Sequence, residues 1–185
     1  RAWGGCVAGK TTSGPGNAAC TDCGAGKYSS ATGRVAEVRF QRAATHLGFQ
    51  VVKSGRKDDM HMHIDYWMQY EGVDGKWGVD VKGNNLPDEI WCEFKNVAGN
   101  PGWMYGGAKI IAFDMPEEGG FSIVDREDLA SYCEKNVEDV FVSDKRDSYK
   151  KKYTRKDRQD VITTLKLLDL KSLDTYRVWR YFKDY

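Results

Sequence analysis

The sequence predicts a mixed α/β (α+β) fold, with a central mixed sheet flanked by helices and a basic helical extension at its C-terminal side. Three observations carry this expectation. A helix-period stripe at 34–47 precedes a run of short strand-like segments that reaches residue 125. Glycine-, asparagine- and proline-containing turns punctuate that run. Helical patterns then return at 126–136 and 161–173. One helix, then strands, then helices is the order expected of elements layered around a sheet. The chain divides accordingly into a Gly/Cys-rich tail (1–33), a core (34–140) and a basic extension (141–185).

In order along the chain, residues 1–33 hold eight of the 20 Gly and three of the five Cys, with no helix or strand period. They read as loop. Val35, Val38, Phe40, Ala43, Ala44 and Leu47 recur at three and four residues, so 34–47 is an amphipathic helix closed by Gly48. Phe49-Gln-Val-Val is a short strand. Segments 64–70 and 76–81 are strands around Asp74-Gly75, a hairpin signal. Segments 89–96, 109–114 and 121–125 are further strands, the last two joined through Pro116 and Gly119-Gly120. Residues 126–136 form a helix that Asp125 can cap. Residues 144–160 are a charge run, and 161–173 carry a helical apolar stripe.

Composition removes several classes. The chain has 185 residues, enough for one ordinary domain. No stretch approaches 18 apolar residues, so no membrane-spanning helix is expected. At 41% hydrophobic and 12% aromatic it is too apolar for a disordered chain. The start lacks a secretory pattern, and it opens on Arg1, as a fragment or processed product would. Cys92 and Cys133 lie in apolar or helical contexts and read as buried thiols of a reducing compartment, which points to an intracellular location, cytoplasmic or nuclear. The net charge of +1 hides an asymmetry: +2 over 1–33, −1 over 34–100, −6 over 101–143 and +6 over 144–185. An acidic centre beside a basic tail is an interaction signature.

The stretch Asp58–Lys82 carries the chemistry. On a strand, alternate residues share a face, so Asp80 and Lys82 project together about 6–7 Å apart. His61, His63 and Asp65 are expected on one face of the preceding strand. The hairpin at Asp74-Gly75 brings Asp65 toward Asp80 and Lys82. Two carboxylates beside a lysine suit metal-assisted phosphodiester hydrolysis, because Mg²⁺ prefers carboxylate oxygen and can polarise a phosphate or activate a water. The lysine can position that water or offset charge on the transition state.

The order helix with Glu37, strand Gly48-Phe-Gln-Val-Val, strand with Asp65 and strand with Asp80-x-Lys82 resembles the PD-(D/E)xK, or restriction-endonuclease-like, nuclease superfamily. The spacing is most similar to that of archaeal Holliday junction resolvases. The resemblance covers about 34–125. It implies a restriction-endonuclease-like core, catalytic residues Asp65, Asp80 and Lys82, and metal ligands Asp65, Asp80 and Glu37 for Mg²⁺ or Mn²⁺. Ile64 stands where the pattern carries proline, and the long helix usual after the third strand is missing. A second acid-x-lysine pair, Glu93-Phe-Lys95, leaves open which pair is catalytic; the order of elements favours Asp80 and Lys82. His63 is a further candidate, and His61, His63 and Asp65 are also spaced as transition-metal ligands.

The charge run places Lys150, Lys151, Lys152, Arg155, Lys156 and Arg158 where a phosphate backbone could be held. Trp103, in a Gly/Pro-rich loop, is expected to be exposed and to stack on a base. The combined expectation is an Mg-dependent endodeoxyribonuclease acting on DNA, branched DNA included, with no membrane partner and a homodimer for cutting two strands; such an enzyme can also be virus- or phage-encoded. A non-catalytic nucleic-acid-binding module on the same fold is the alternative. Separately, Cys20-Thr-Asp-Cys23-Gly-Ala-Gly-Lys-Tyr28-Ser-Ser resembles one incomplete ephrin-receptor-like Cys-rich repeat, which implies an extracellular interaction fragment instead.

Overall fold

A computed structural model describes residues 31–84 and 86–181. Readings of residues 1–30, including Cys6, Cys20 and Cys23, lie outside the described residues. The fold is mixed α+β, with four α-helices and two sheets among the described residues.

The first helix, α1 (Ala31–His46), starts three residues before the predicted stripe and stops at Gly48, whose φ of +89° a residue with a side chain rarely adopts. The six-stranded sheet is then laid down around it. Strand β1 (Phe49–Lys53) pairs antiparallel with β2 (Tyr66–Tyr70), which pairs antiparallel with β3 (Trp77–Gly83) across the predicted hairpin. Strand β3 pairs parallel with β5 (Ile110–Met115), which turns back into β6 (Gly120–Asp125). The sixth strand, β10 (Arg177–Arg180), adds to β6 from the far end of the chain.

This sheet curls around α1. Ala36, Phe40, Ala43 and Ala44 of the helix pack with residues of all six strands, from Phe49 and Val51 at one edge to Trp179 at the other. Trp179 stacks on both Phe40 (5.8 Å between centroids) and Phe49 (5.3 Å), so the two edge strands approach each other.

The opposite face carries a second core, closed by a smaller sheet in the order β4 (Glu89–Lys95), β9 (Val161–Lys166), β8 (Lys151–Tyr153) and β7 (Glu138–Val142). Helices α3 (Arg126–Asn136) and α4 (Leu167–Lys171) complete that layer. Asp125 caps α3 as expected, accepting from the N–H groups of Glu127 and Asp128. Cys92 and Cys133 are buried free thiols. No described helix is long and apolar enough to cross a membrane.

Three expectations are corrected. The segment 161–173 begins as strand and turns helical only at Leu167: its first four residues, Val161-Ile-Thr-Thr, are β-branched, and pairing with β4 overrides the helical spacing up to Lys166. The C-terminal extension is therefore helical only over the short α4, and residues 151–180 supply strands to both sheets. Segment 89–96 is a strand, but of a second sheet rather than of the single central sheet expected.

Candidate functional site

Asp65 lies one residue before β2. The register pairs Tyr66 with Val79, so one step further places Asp65 opposite Asp80. Two hydrogen bonds fix it there. The Asp65 N–H donates to the Val79 carbonyl (2.8 Å), and Asp65 Oδ2 accepts from the Val81 N–H (2.8 Å). The residue thus brackets Asp80 on β3, between two valines whose side chains go to the α1 core.

Asp80 points the other way and is only 3% exposed. Lys82 Nζ approaches its Oδ2 to 2.7 Å, but off the direction of a hydrogen bond, so this buried oxygen has no hydrogen-bond partner. Burial pushes the Asp80 carboxyl up to about 7; the Lys82 ammonium opposes the rise and the nearby Asp65 carboxyl adds to it. A buried carboxylate beside a second carboxylate is costly unless something cationic or protic meets it, and here the Lys82 ammonium offsets that cost only in part.

Glu37 joins this centre through a residue the sequence did not single out. Lys53, at the end of β1, sits 2.5 Å from Glu37 Oε2 and 3.7 Å from Asp65 Oδ1. Its Nζ also lies 4.6 Å from the centre of the Tyr66 ring. Burial works against its charge, but the Glu37 hydrogen bond and the Asp65 carboxylate outweigh that and raise its pKa. An ammonium therefore stands between two of the three expected metal ligands. Among the described residues no three His, Cys, Asp or Glu side chains are grouped as a ready ligand set. The signal for Lys53 lay in strand pairing, since Lys53 is opposite Tyr66, next to Asp65.

The histidines do not share a strand face. Residues 56–62 form a short helix, α2 (Arg56–Met62), led by Gly55 and carrying Asp58 and Asp59 in its first turn. His61 lies exposed on it, and His63 ends it in the left-handed conformation (φ +53°). This local capping replaces the expected alternation. His63 still reaches the site electrostatically. Burial and the Lys82 charge lower its pKa, against the pull of Asp65, and so favour the neutral imidazole.

The second sheet also contributes charged groups near Lys82. Burial pushes the Glu93 carboxyl up, while Lys82, the Trp103 N–H and Arg155 pull it back down. Lys95 is exposed beyond a β-bulge that separates its register from that of Glu93. Trp103, expected in solvent, is 6% exposed: it starts a 3-10 turn (Trp103–Tyr105) and packs edge-on to Phe113. Its ring is still part of the site, because Lys82 Nζ lies 5.0 Å from its centre.

Much of the basic run is already paired. Lys150 meets Asp169 (2.7 Å), Lys152 meets Asp139 (2.7 Å) and Arg155 meets Asp160. Lys151, Lys156 and Arg158 make no ion pair among the described residues. The pairing strands bring in acids that a linear charge count treats as separate.

No family model, curated protein or solved structure matches this chain.

Proposed function

We propose that this chain is a divalent-metal-dependent endonuclease that hydrolyses DNA phosphodiester bonds on a restriction-endonuclease-like core. The observation that carries the reading is the convergence of Asp65, Asp80 and Lys82, with the buried Asp80 Oδ2 lacking a hydrogen-bond partner. The parallel pairing of β3 with β5, two strands joined by a crossover, also supports it.

Asp65 and Asp80 fit a hard cation by donor type, and Glu37 would join them if Lys53 moved aside. A bound Mg²⁺ or Mn²⁺ would polarise the scissile phosphate and acidify a water. Lys82 holds positive charge where the phosphate gains negative charge, and the Trp103 ring and Asp80 fix its direction. Neutral His63 can accept or donate a hydrogen bond at the same centre.

The second reading is a non-catalytic nucleic-acid-binding module. It is favoured by Lys53, which already compensates Glu37 and Asp65 without a metal. Two measurements separate the readings. Plasmid and oligonucleotide cleavage with Mg²⁺ or Mn²⁺ is expected to fall at least 100-fold in Asp80→Asn and in Lys82→Ala. Calorimetric titration with Mn²⁺ should show binding that Asp65→Asn and Asp80→Asn remove. Metal-dependent cleavage unchanged in both Asp80→Asn and Lys82→Ala would sink the assignment, and absence of any Mn²⁺ binding would favour the module.

A further inference from the structure

Arg155 is held in a way that leaves its working end free. It follows β8, and Asp160 precedes β9, so the two face each other across the turn between those strands. Asp160 is fully buried and uses both oxygens on Arg155: Oδ1 accepts from the backbone N–H (3.1 Å) and Oδ2 from Nε. The Arg155 side chain is 42% exposed, and neither terminal nitrogen has a hydrogen-bond partner among the described residues. A buried carboxylate that fixes Nε pre-orients the two remaining NH₂ groups, the fork that fits phosphate oxygens.

Strand register sets this fork beside the candidate site. Tyr153, Ile162 and Glu93 stand in a row across β8, β9 and β4. The Trp91 and Tyr153 rings, 6.5 Å apart between centroids, brace that face of the sheet. The charges of Arg155 and Lys82 both favour the ionised form of Glu93, and the Gly102 N–H bond to the Phe94 carbonyl (2.8 Å) holds the Trp103 turn, over whose ring Lys82 lies, against the same strand. Two cations whose charges both reach one half-buried acid mark out two neighbouring positions for anions.

We propose that Arg155, anchored by Asp160, is a positioning residue that seats a backbone phosphate of the polynucleotide next to the phosphate held at Lys82. This rests on the nuclease reading and adds to it a second phosphate subsite on the smaller sheet. The ligand class is a polynucleotide strand, gripped by its backbone and without base specificity.

The test is fluorescence anisotropy with a labelled single-stranded oligodeoxynucleotide in EDTA across a salt series. Because Arg155→Ala alone would strand the buried Asp160 charge, the comparison is Asp160→Asn against Asp160→Asn/Arg155→Ala. The double variant should bind about tenfold more weakly and show a slope of log affinity against log salt shallower by about 0.7. Arg155→Lys should keep the slope but lose several-fold in affinity. In cleavage assays Arg155→Lys should raise KM with kcat little changed. Lys171→Ala, at an exposed position elsewhere, serves as a control with no change. Equal slopes and affinities in the two Asp160→Asn proteins would overturn the subsite, while loss of cleavage in Asp80→Asn would leave the nuclease reading standing. A wild-type protein that binds no oligonucleotide at all would overturn both.

Discussion

The Asp80 carboxyl titrates near neutrality because it is buried with too little compensation, and that links the candidate site to stability. Below about pH 4 the group is neutral in both the folded and the unfolded chain. As pH rises toward 7 the unfolded chain releases this proton while the folded chain keeps it, so stability falls over that window. At about 1.4 kcal/mol per pH unit the loss reaches about 4 kcal/mol by pH 7 to 8. Asp80→Asn removes the titration, and in EDTA it should be more stable than wild type at pH 8 by up to that amount, with the difference gone by pH 4. Thermal unfolding at the two pH values checks this; parallel pH profiles for the two proteins would show that burial of Asp80 costs nothing. That Asp65 and Asp80 approach each other was legible in the sequence, because the turn signal at Asp74-Gly75 folds their strands together; the register was not, since Met68 pairs with Trp77 across a loop longer than a two-residue turn. Lys53 was not: its place depends on β1 folding back onto β2 across α2, and nothing in Phe49–Lys53 announces that partner.

Among the elements, the turn Trp103–Tyr105 depends on a close approach to β4. The Gly102 N–H donates to the Phe94 carbonyl (2.8 Å), and a Cβ at Gly102 would lie 2.2 Å from the Glu93 carbonyl oxygen. From the other side Arg126 donates through Nη1 to the Met104 carbonyl and through Nε to the Ala108 carbonyl. Gly102→Ala must therefore push the turn off the strand, at a cost of about 1–3 kcal/mol. Melting should drop by about 3–10 °C, with altered tryptophan fluorescence from the displaced Trp103; an unchanged melting temperature would mean the backbone yields freely there. Helix α1, the β2–β3 hairpin and the β5–β6 pair were legible because their periods and turn residues are local. The strand β9 was not. Its apolar residues also fit a helical spacing, and only pairing with β4, about 70 residues earlier in the chain, decides between the two. A similar distance along the chain hid the approach of Arg155 to Glu93.

For the molecule as a whole, the curl of the larger sheet places aromatic rings from both edges on one helix. Trp179 contacts Phe40 and Phe49, and Tyr181 donates to the buried Asp114, which also pairs with Arg39 of α1 (3.1 Å). Trp179→Ala should cost about 2–4 kcal/mol, somewhat below a fully buried tryptophan, and lower the melting temperature by at least 5 °C. A change under 1 °C would show that the edges are held independently of this stack. The charge arithmetic resolves at this scale too. The basic run of 144–160 is not a free polycation, since pairing strands and turns neutralise Lys150, Lys152 and Arg155 and leave a smaller set of charges for a ligand.

The curl also governs the order of events in the living chain. The face of α1 cannot be fully covered until residues 177–180 have left the ribosome, and β4 cannot find its partner until 161–166 have. Both sheets are thus completed by late-synthesised segments closing over early ones, a topology of long loops that folds slowly. Until then Phe40, Phe49 and the edge of β6 stay open to other chains, so a nascent or truncated chain is the form most exposed to aggregation.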